Sequence, residues 1–346
     1  MKGLLKRLFK NPLFLIGFLF VFALLTVSLI HTYAFDGHIR QVQMLYDENN
    51  NLIAAAPLEP SWQLPLGTDR LGFDLLTKIS VGAKYTIIFA FIIAFLRVFV
   101  SFLIGIFYGN YLMRYKRYID GFVDSFHFIP LTLLAYYILR PVLWETPDGF
   151  LYTFTERVSI EVIVLTLLAI PVLSVLIGSE TNEILKEEFI DGARVLGGSR
   201  WHLMKRHVMP HLFPRLVIIF GQQVIQVLLV FAHLGLLQLF FGGTDIDYSR
   251  VPDPPQSFSG EWSGLIGNSF REIRVAPWIV LAPITFFALT MLAMNFMLEG
   301  YKRVLNDRSM YAKKVQKEKT GQKAEAESGD SWAFTPAEAD SYTNQS

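Results

Sequence analysis

Cysteine is absent from this chain of 346 residues. Disulfides, thiolate metal sites, iron–sulfur clusters and a cysteine nucleophile are therefore excluded. Charge is scarce: Asp, Glu, Lys and Arg make up 18% of the residues, against roughly 25% in an average soluble domain. It is also balanced, with a formal net charge of +1, which excludes a broadly basic nucleic-acid binder and an acidic solvating chain. No G-x4-GK[ST] phosphate loop occurs, so the chain carries no Walker-type ATP site. HExxH and GxSxG are missing, and no set of His, Asp and Glu has metal-ligand spacing. These gaps argue against a membrane enzyme and leave no metal to assign.

Apolar residues are abundant. They make up 52% of the chain, with 30 Phe, and lipid is the solvent that accommodates such a load. About 20 apolar residues in a helix span the ~30 Å hydrocarbon core. Five stretches pass easily: Asn11 to Ile30, Tyr85 to Tyr111, Val162 to Ser179, Leu216 to Thr244 and Val275 to Leu298. Gly121 to Leu139 is weaker because it holds Asp124, His127 and Pro130. The expected fold is all-α, a polytopic membrane protein with six transmembrane helices. The basic start MKGLLKRLFK and the long apolar run after it, with no A-x-A site following directly, read as an uncleaved anchor.

Charge asymmetry sets the expected orientation. With the N-terminus inside, the inner segments carry 21 Lys and Arg against 7 on the outer ones. Both termini are then cytoplasmic. The expected organisation is a cytoplasmic N-terminus and first span at 1–31, an outer loop at 32–81, a five-helix transmembrane domain at 82–299 and a cytoplasmic tail at 300–346. Leu71, Leu75 and Ile79 recur at helical spacing, which predicts a helix lying on the membrane surface. From Asp307 the tail is Lys, Glu, Ala, Ser and Gly with few apolar residues, which predicts disorder. Pro130 and Pro171 are expected to kink their helices.

The segment from Asn182 to Pro210 is the most informative. Leu185, Phe189, Ala193 and Leu196 fall on one helical face, Gly197-Gly198 ends that helix, and Ser199 can cap a second one running to Pro210. An amphipathic pair of this kind also fits a helix that merely rests under the bilayer. The segment resembles the EAA loop of ABC importer permeases. Asp191-Gly192-Ala193 stands at the EAA positions, Gly197 at the family glycine and Met209-Pro210 at the terminal LP. ARVLGGS (Ala193 to Ser199) and RHVMP (Arg206 to Pro210) resemble the peptide-importer branch. So do LGTDRLGFDLLTKISVGAKYT (Leu66 to Thr86), EWSGLIG (Glu261 to Gly267), APWIVLAP (Ala276 to Pro283) and NFMLEGYKRVLNDR (Asn295 to Arg308). These blocks occur in the order found in C-type permeases of oligopeptide and dipeptide importers.

The resemblance implies a type I ABC importer permease fold and a subunit that moves peptides across the cell membrane. It implies a second homologous permease, two cytoplasmic ATP-binding subunits that hold the ATP, and an extracytoplasmic peptide-binding protein as partners. Within the EAA loop (182–210) it implies that Glu188, Asp191, Gly192, Ala193, Leu196 and Gly197 couple to an ATPase. A permease of the same architecture for nickel, an opine or another small solute has the same loop lengths.

Polar residues inside the spans are the other candidates. Arg97 near the middle of span two either lines a cavity or forms a structural pair. Gln222, Gln226 and His233 share one face of span five and either line a path or join helices. No carboxylate is expected near the middle of any span, which disfavours a proton-coupled carrier.

Overall fold

The computed structural model describes residues 2–46, 51–197, 199–249 and 253–329. The chain opens with α1 (Lys2–Leu8) and α2 (Pro12–Ala34). Asn11 starts α2 by accepting the N–H groups of Leu13 and Phe14, with Pro12 in the first turn where no N–H is needed. A small hairpin, β1 (Met44–Tyr46) and β2 (Leu52–Ala55), leads to α3 (Leu75–Phe107), capped by Asp74 on the N–H of Thr77. Then come α4 (Lys116–Asp124), α5 (Leu131–Leu143), α6 (Phe154–Leu167), α7 (Ile170–Leu185), α8 (Glu188–Val195), α9 (Arg200–Leu203) and α10 (Met209–Leu236). The strands β3 (Thr244–Asp245) and β4 (Gln256–Ser257) pair before α11 (Trp262–Ser269) and α12 (Pro277–Gly329).

Among the described residues, four helical stretches are long and apolar enough to cross a membrane, and they contain α2, α3, α10 and the first part of α12. The pair α6 and α7 makes a fifth, bent by 44° at its break. Pro171 lies in the first turn of α7, so the expected kink is a full break. The sixth segment, α5, has 13 residues and covers only ~20 Å. Pro130 is its N-cap, so the stretch from Gly121 to Leu139 is two helices and a 3-10 turn rather than one kinked span.

Three further expectations are corrected. No separate surface helix holds Leu71, Leu75 and Ile79. Leu71 precedes Asp74, while Leu75 and Ile79 begin α3 and are fully buried, because nothing between Ile79 and Tyr85 interrupts the helix. The stretch from Leu216 to Thr244 leaves the helix at Leu236: Gln238, Gly242 and Gly243 take positive φ, and Leu239, Phe240 and Phe241 turn back into the core. The last helix continues past Asp307 to Gly329. Disorder was expected there, but Ala, Lys, Glu and Gln are strong helix formers that extend a helix already begun. Residues 330–346 lie outside the described residues.

The core is a stripe along α3, with Ile79, Ala83, Ile87, Ala90 and Ala94 packed against Val224, Val227, Leu228 and Phe231 of α10 and Phe287 and Met294 of α12. Further along, α3 crosses α7 closely. A Cβ on Gly105 would lie 2.9 Å from the Ser174 carbonyl oxygen and from the Ile177 Cβ. One on Gly109, in the π-helical turn after α3, would lie 2.6 Å from the Gly178 carbonyl oxygen. Small residues allow this approach, and backbone packing holds helices together where lipid supplies no hydrophobic drive. Gly105→Val should therefore lower the apparent melting temperature of the solubilised protein, at a cost of about 1–3 kcal/mol from overpacking. Gly121→Val, where a Cβ meets nothing within 4 Å, should leave it nearly unchanged. Equal melting of the two variants, followed by fluorescence-detected gel filtration, would contradict this crossing.

Candidate functional site

The helix α8 projects from the end of the bundle on one anchor. Ile190 is fully buried and packs with Ile184, Met204, Val208 and Leu212, joining α8 to the end of α7 and the start of α10. The rest of α8 faces outward. Glu188, Asp191 and Gly192 are exposed, Ala193 is half-buried, and Asp191 pairs with Arg194 at 2.9 Å on the surface. Gly197 turns the chain with φ +83°, the positive value its place at the helix end demands. Around that turn stand Val195, 88% exposed, Leu196, 89%, and Trp201, 75%. Phe189 is partly exposed and stacks on His211 at 4.9 Å.

The predicted helix from Leu185 to Leu196 is not continuous. Leu185 ends α7, the chain breaks at Lys186 and Glu187, and α8 begins at Glu188. The face chosen from spacing is therefore replaced by a single buried contact, Ile190, and an exposed apolar tip. Ser199 does cap the second helix, accepting the N–H of His202; Gly198 lies outside the described residues. That helix does not stop at Pro210: α9 passes through a π-helical turn at Met204–Val208 into α10, whose first turn accepts the proline.

Inside the bundle the polar candidates separate. Gln222, Gln226 and His233 are all exposed on one face of α10, together with Leu229 and Leu236. Gln226 also lines a cavity of about 270 Å³ enclosed by Pro130, Leu134, Leu168 and Val172. The cavity sits where α5 begins and where α6 breaks from α7. Arg97 takes the structural pairing, one of its two expected readings. It is fully buried, its Nε donates to the Leu165 carbonyl at 2.8 Å, and one terminal nitrogen donates to the Gln223 Oε1 at 3.2 Å. At the α6 break the Ala169 N–H goes to Thr166 rather than Leu165. Arg97 thus supplies a donor to a carbonyl at the broken helix end, where lipid could not.

Sequence reading also missed a carboxylate. Because α6 begins at Phe154 instead of near Val162, Glu161 lies about two turns inside the helix and is buried. Its Oε2 accepts the Gly242 N–H at 3.0 Å, and Arg157, one turn earlier, donates Nε to the Gly242 carbonyl at 2.8 Å. The pair clamps the Gly242–Gly243 turn. An i, i+4 Arg and Glu at the head of an apolar helix was the available signal.

Arg97→Met should leave the Leu165 carbonyl without this donor and cost about 1–3 kcal/mol of stability. Gln226→Ala, on the exposed face of α10, should cost much less. Unchanged melting of solubilised Arg97→Met would contradict the structural assignment.

A family model described as "Binding-protein-dependent transport system inner membrane component" matches residues 101–310. The peptide transport system permease protein SapC of Escherichia coli O6:H1 is 26% identical over 254 residues, covering 72% of this chain and 77% of that protein. The oligopeptide transport system permease protein OppC of Haemophilus influenzae is 22% identical over 264 residues, 75% of each chain. The glutathione transport system permease protein GsiD of Shigella dysenteriae is 24% identical over 261 residues, again 75% of each.

Proposed function

Because the chain belongs to the family of binding-protein-dependent transport system inner membrane components, we propose that it is a permease subunit of an ABC importer that carries peptides across the cell membrane. The names of its relatives support a peptide substrate. We read 82–299 as the transport domain, with both termini cytoplasmic. A second permease, two ATP-binding subunits and an extracytoplasmic peptide-binding protein complete the assembly, so the ATP is held by partners.

The observation that carries the coupling role is the exposed tip of α8. Val195, Leu196 and Trp201 form an apolar knob beside the Gly197 turn, and a polypeptide groove is the occupant that gives such a knob a reason to face outward. Glu188 and Asp191 add exposed acidic contacts beside it. Through Ile190, a push on this knob reaches the ends of α7 and α10 together. Helix α7 is 16 residues long, a lever of ~24 Å, and its far end meets the cavity beside Gln226. Closure of the ATP-binding subunits would then tilt α7 about its crossing with α3 and change access to the polar face of α10.

Two results test this reading. Gly197→Val forces a β-branched residue into positive φ at about 1–2 kcal/mol, enough to shift a docking equilibrium roughly 5- to 30-fold. Peptide uptake should fall sharply while membrane abundance stays normal, since a side chain at 197 meets nothing within 4 Å. Undiminished uptake would leave α8 as a helix that only rests at the membrane surface. For orientation, the thiol-free chain can carry a single cysteine at Tyr248 or at Arg117, both exposed. An impermeant maleimide should label Tyr248→Cys in intact cells and spare Arg117→Cys. The opposite pattern would invert the topology.

A further inference from the structure

The side of α10 turned away from Gln222, Gln226 and His233 is apolar, and from Met209 to Phe220 it does not close against α3. A groove of about 380 Å³ runs between the two helices, and every residue lining it is apolar. Phe95, Phe99 and Phe102 form one wall, and Phe213, Leu216 and Phe220 the other. The rings are ordered among themselves: Phe95 stacks on Phe99 at 5.8 Å, and Phe91 meets Phe220 edge-on at 5.8 Å.

Position and charge say what occupies it. The groove begins at Met209, the first residue of α10, and ends at Phe220, eleven residues later. At 1.5 Å per residue that is ~16 Å, about half the ~30 Å hydrocarbon core. It is the depth of one leaflet. Lys205 and Arg206 stand just before Met209, both exposed, and neither is ion-paired with a carboxylate among the described residues. A one-leaflet apolar slot, preceded along the helix by two exposed cations without a carboxylate partner, matches the two ends of an anionic phospholipid, and basic residues near spans attract such lipids. At about 100° per residue the groove residues lie opposite the polar face of α10. A partner permease or a transport path on that polar face leaves the groove to lipid; only this clause rests on the function proposed above.

We propose that the groove between α3 and α10 binds one acyl chain of an anionic phospholipid whose phosphate is held by Lys205 and Arg206. The site adjoins Met204 and Val208, which pack on the α8 anchor Ile190. The bound lipid therefore touches the segment that joins α8 to the membrane.

Native mass spectrometry of the purified full-length chain tests this, with palmitoyl-oleoyl phosphatidylglycerol and the matching phosphatidylcholine as probes. The chain should retain one phosphatidylglycerol and prefer it to phosphatidylcholine by roughly fivefold for each basic residue engaged. Lys205→Gln with Arg206→Gln should bring the two lipids close to parity. Leu216→Trp, which fills the slot, should lose retention of both. Equal retention of the two lipids by the unaltered chain, or full retention by Leu216→Trp, would overturn the proposal. A second measurement does not depend on the groove-filling variant folding. Benzophenone maleimide on Phe99→Cys should, on irradiation in native membranes, give an adduct of lipid mass. Crosslinking to another protein instead would show that a partner helix covers the groove and would also overturn it.

Discussion

The close crossing of α3 and α7 is the contact on which the rest of the arrangement depends. Gly105, Gly109 and Gly178 bring backbone against backbone there. Larger side chains would push the helices apart by ångströms that nothing in lipid would restore. Because the two rods touch at this point, the proposed coupling would use α7 as a lever with a defined pivot. One end carries α8 through Ile190, and the other meets the break above Pro171 and the cavity beside Gln226. Without the pivot, a displacement of α8 would be absorbed by sliding, and the cavity would not sense it.

A second regularity follows from the solvent. In hydrocarbon an interrupted helix leaves carbonyls and N–H groups that no water can satisfy. Four of the buried charged side chains stand at such interruptions. Arg97 serves Leu165 where α6 ends, and Arg157 with Glu161 serves Gly242 where the chain turns after α10. Glu261 caps α11 through the N–H groups of Ser263 and Gly264. At each interruption they bond to backbone groups that lipid could not satisfy. The exposed polar residues of α10, Gln222, Gln226 and His233, have no such task.

How much of this was legible follows from what each signal measures. Hydropathy is a local sum, so it located the spans, and it blurred α5 because Asp124 and Pro130 interrupt the apolar run. The positive φ at Gly197 was readable because glycine after an amphipathic helix has one common use. The anchor was not: Ile190 is buried and Leu196 exposed by the break at Lys186 and Glu187, and three-dimensional packing, not spacing, decides which face turns inward. For the same reason the two readings of Arg97 stayed open. Its partner is a backbone carbonyl sixty-eight positions away, which no periodicity reports. The tail past Asp307 read as disordered because composition measures burial and ignores helix propagation.

The central claim is that the tip of α8 sits in a groove on an ATP-binding partner. Leu196, 89% exposed beside the Gly197 turn, is the residue to ask. With Leu196→Cys in this cysteine-free chain, a short photoactivatable crosslinker on that thiol can be irradiated in native membranes. The account predicts one dominant adduct with the mass of an ATP-binding subunit, its yield changing when ATP is added. Adducts to lipid alone, or a protein adduct indistinguishable from that of Tyr248→Cys on the opposite face of the membrane, would contradict it.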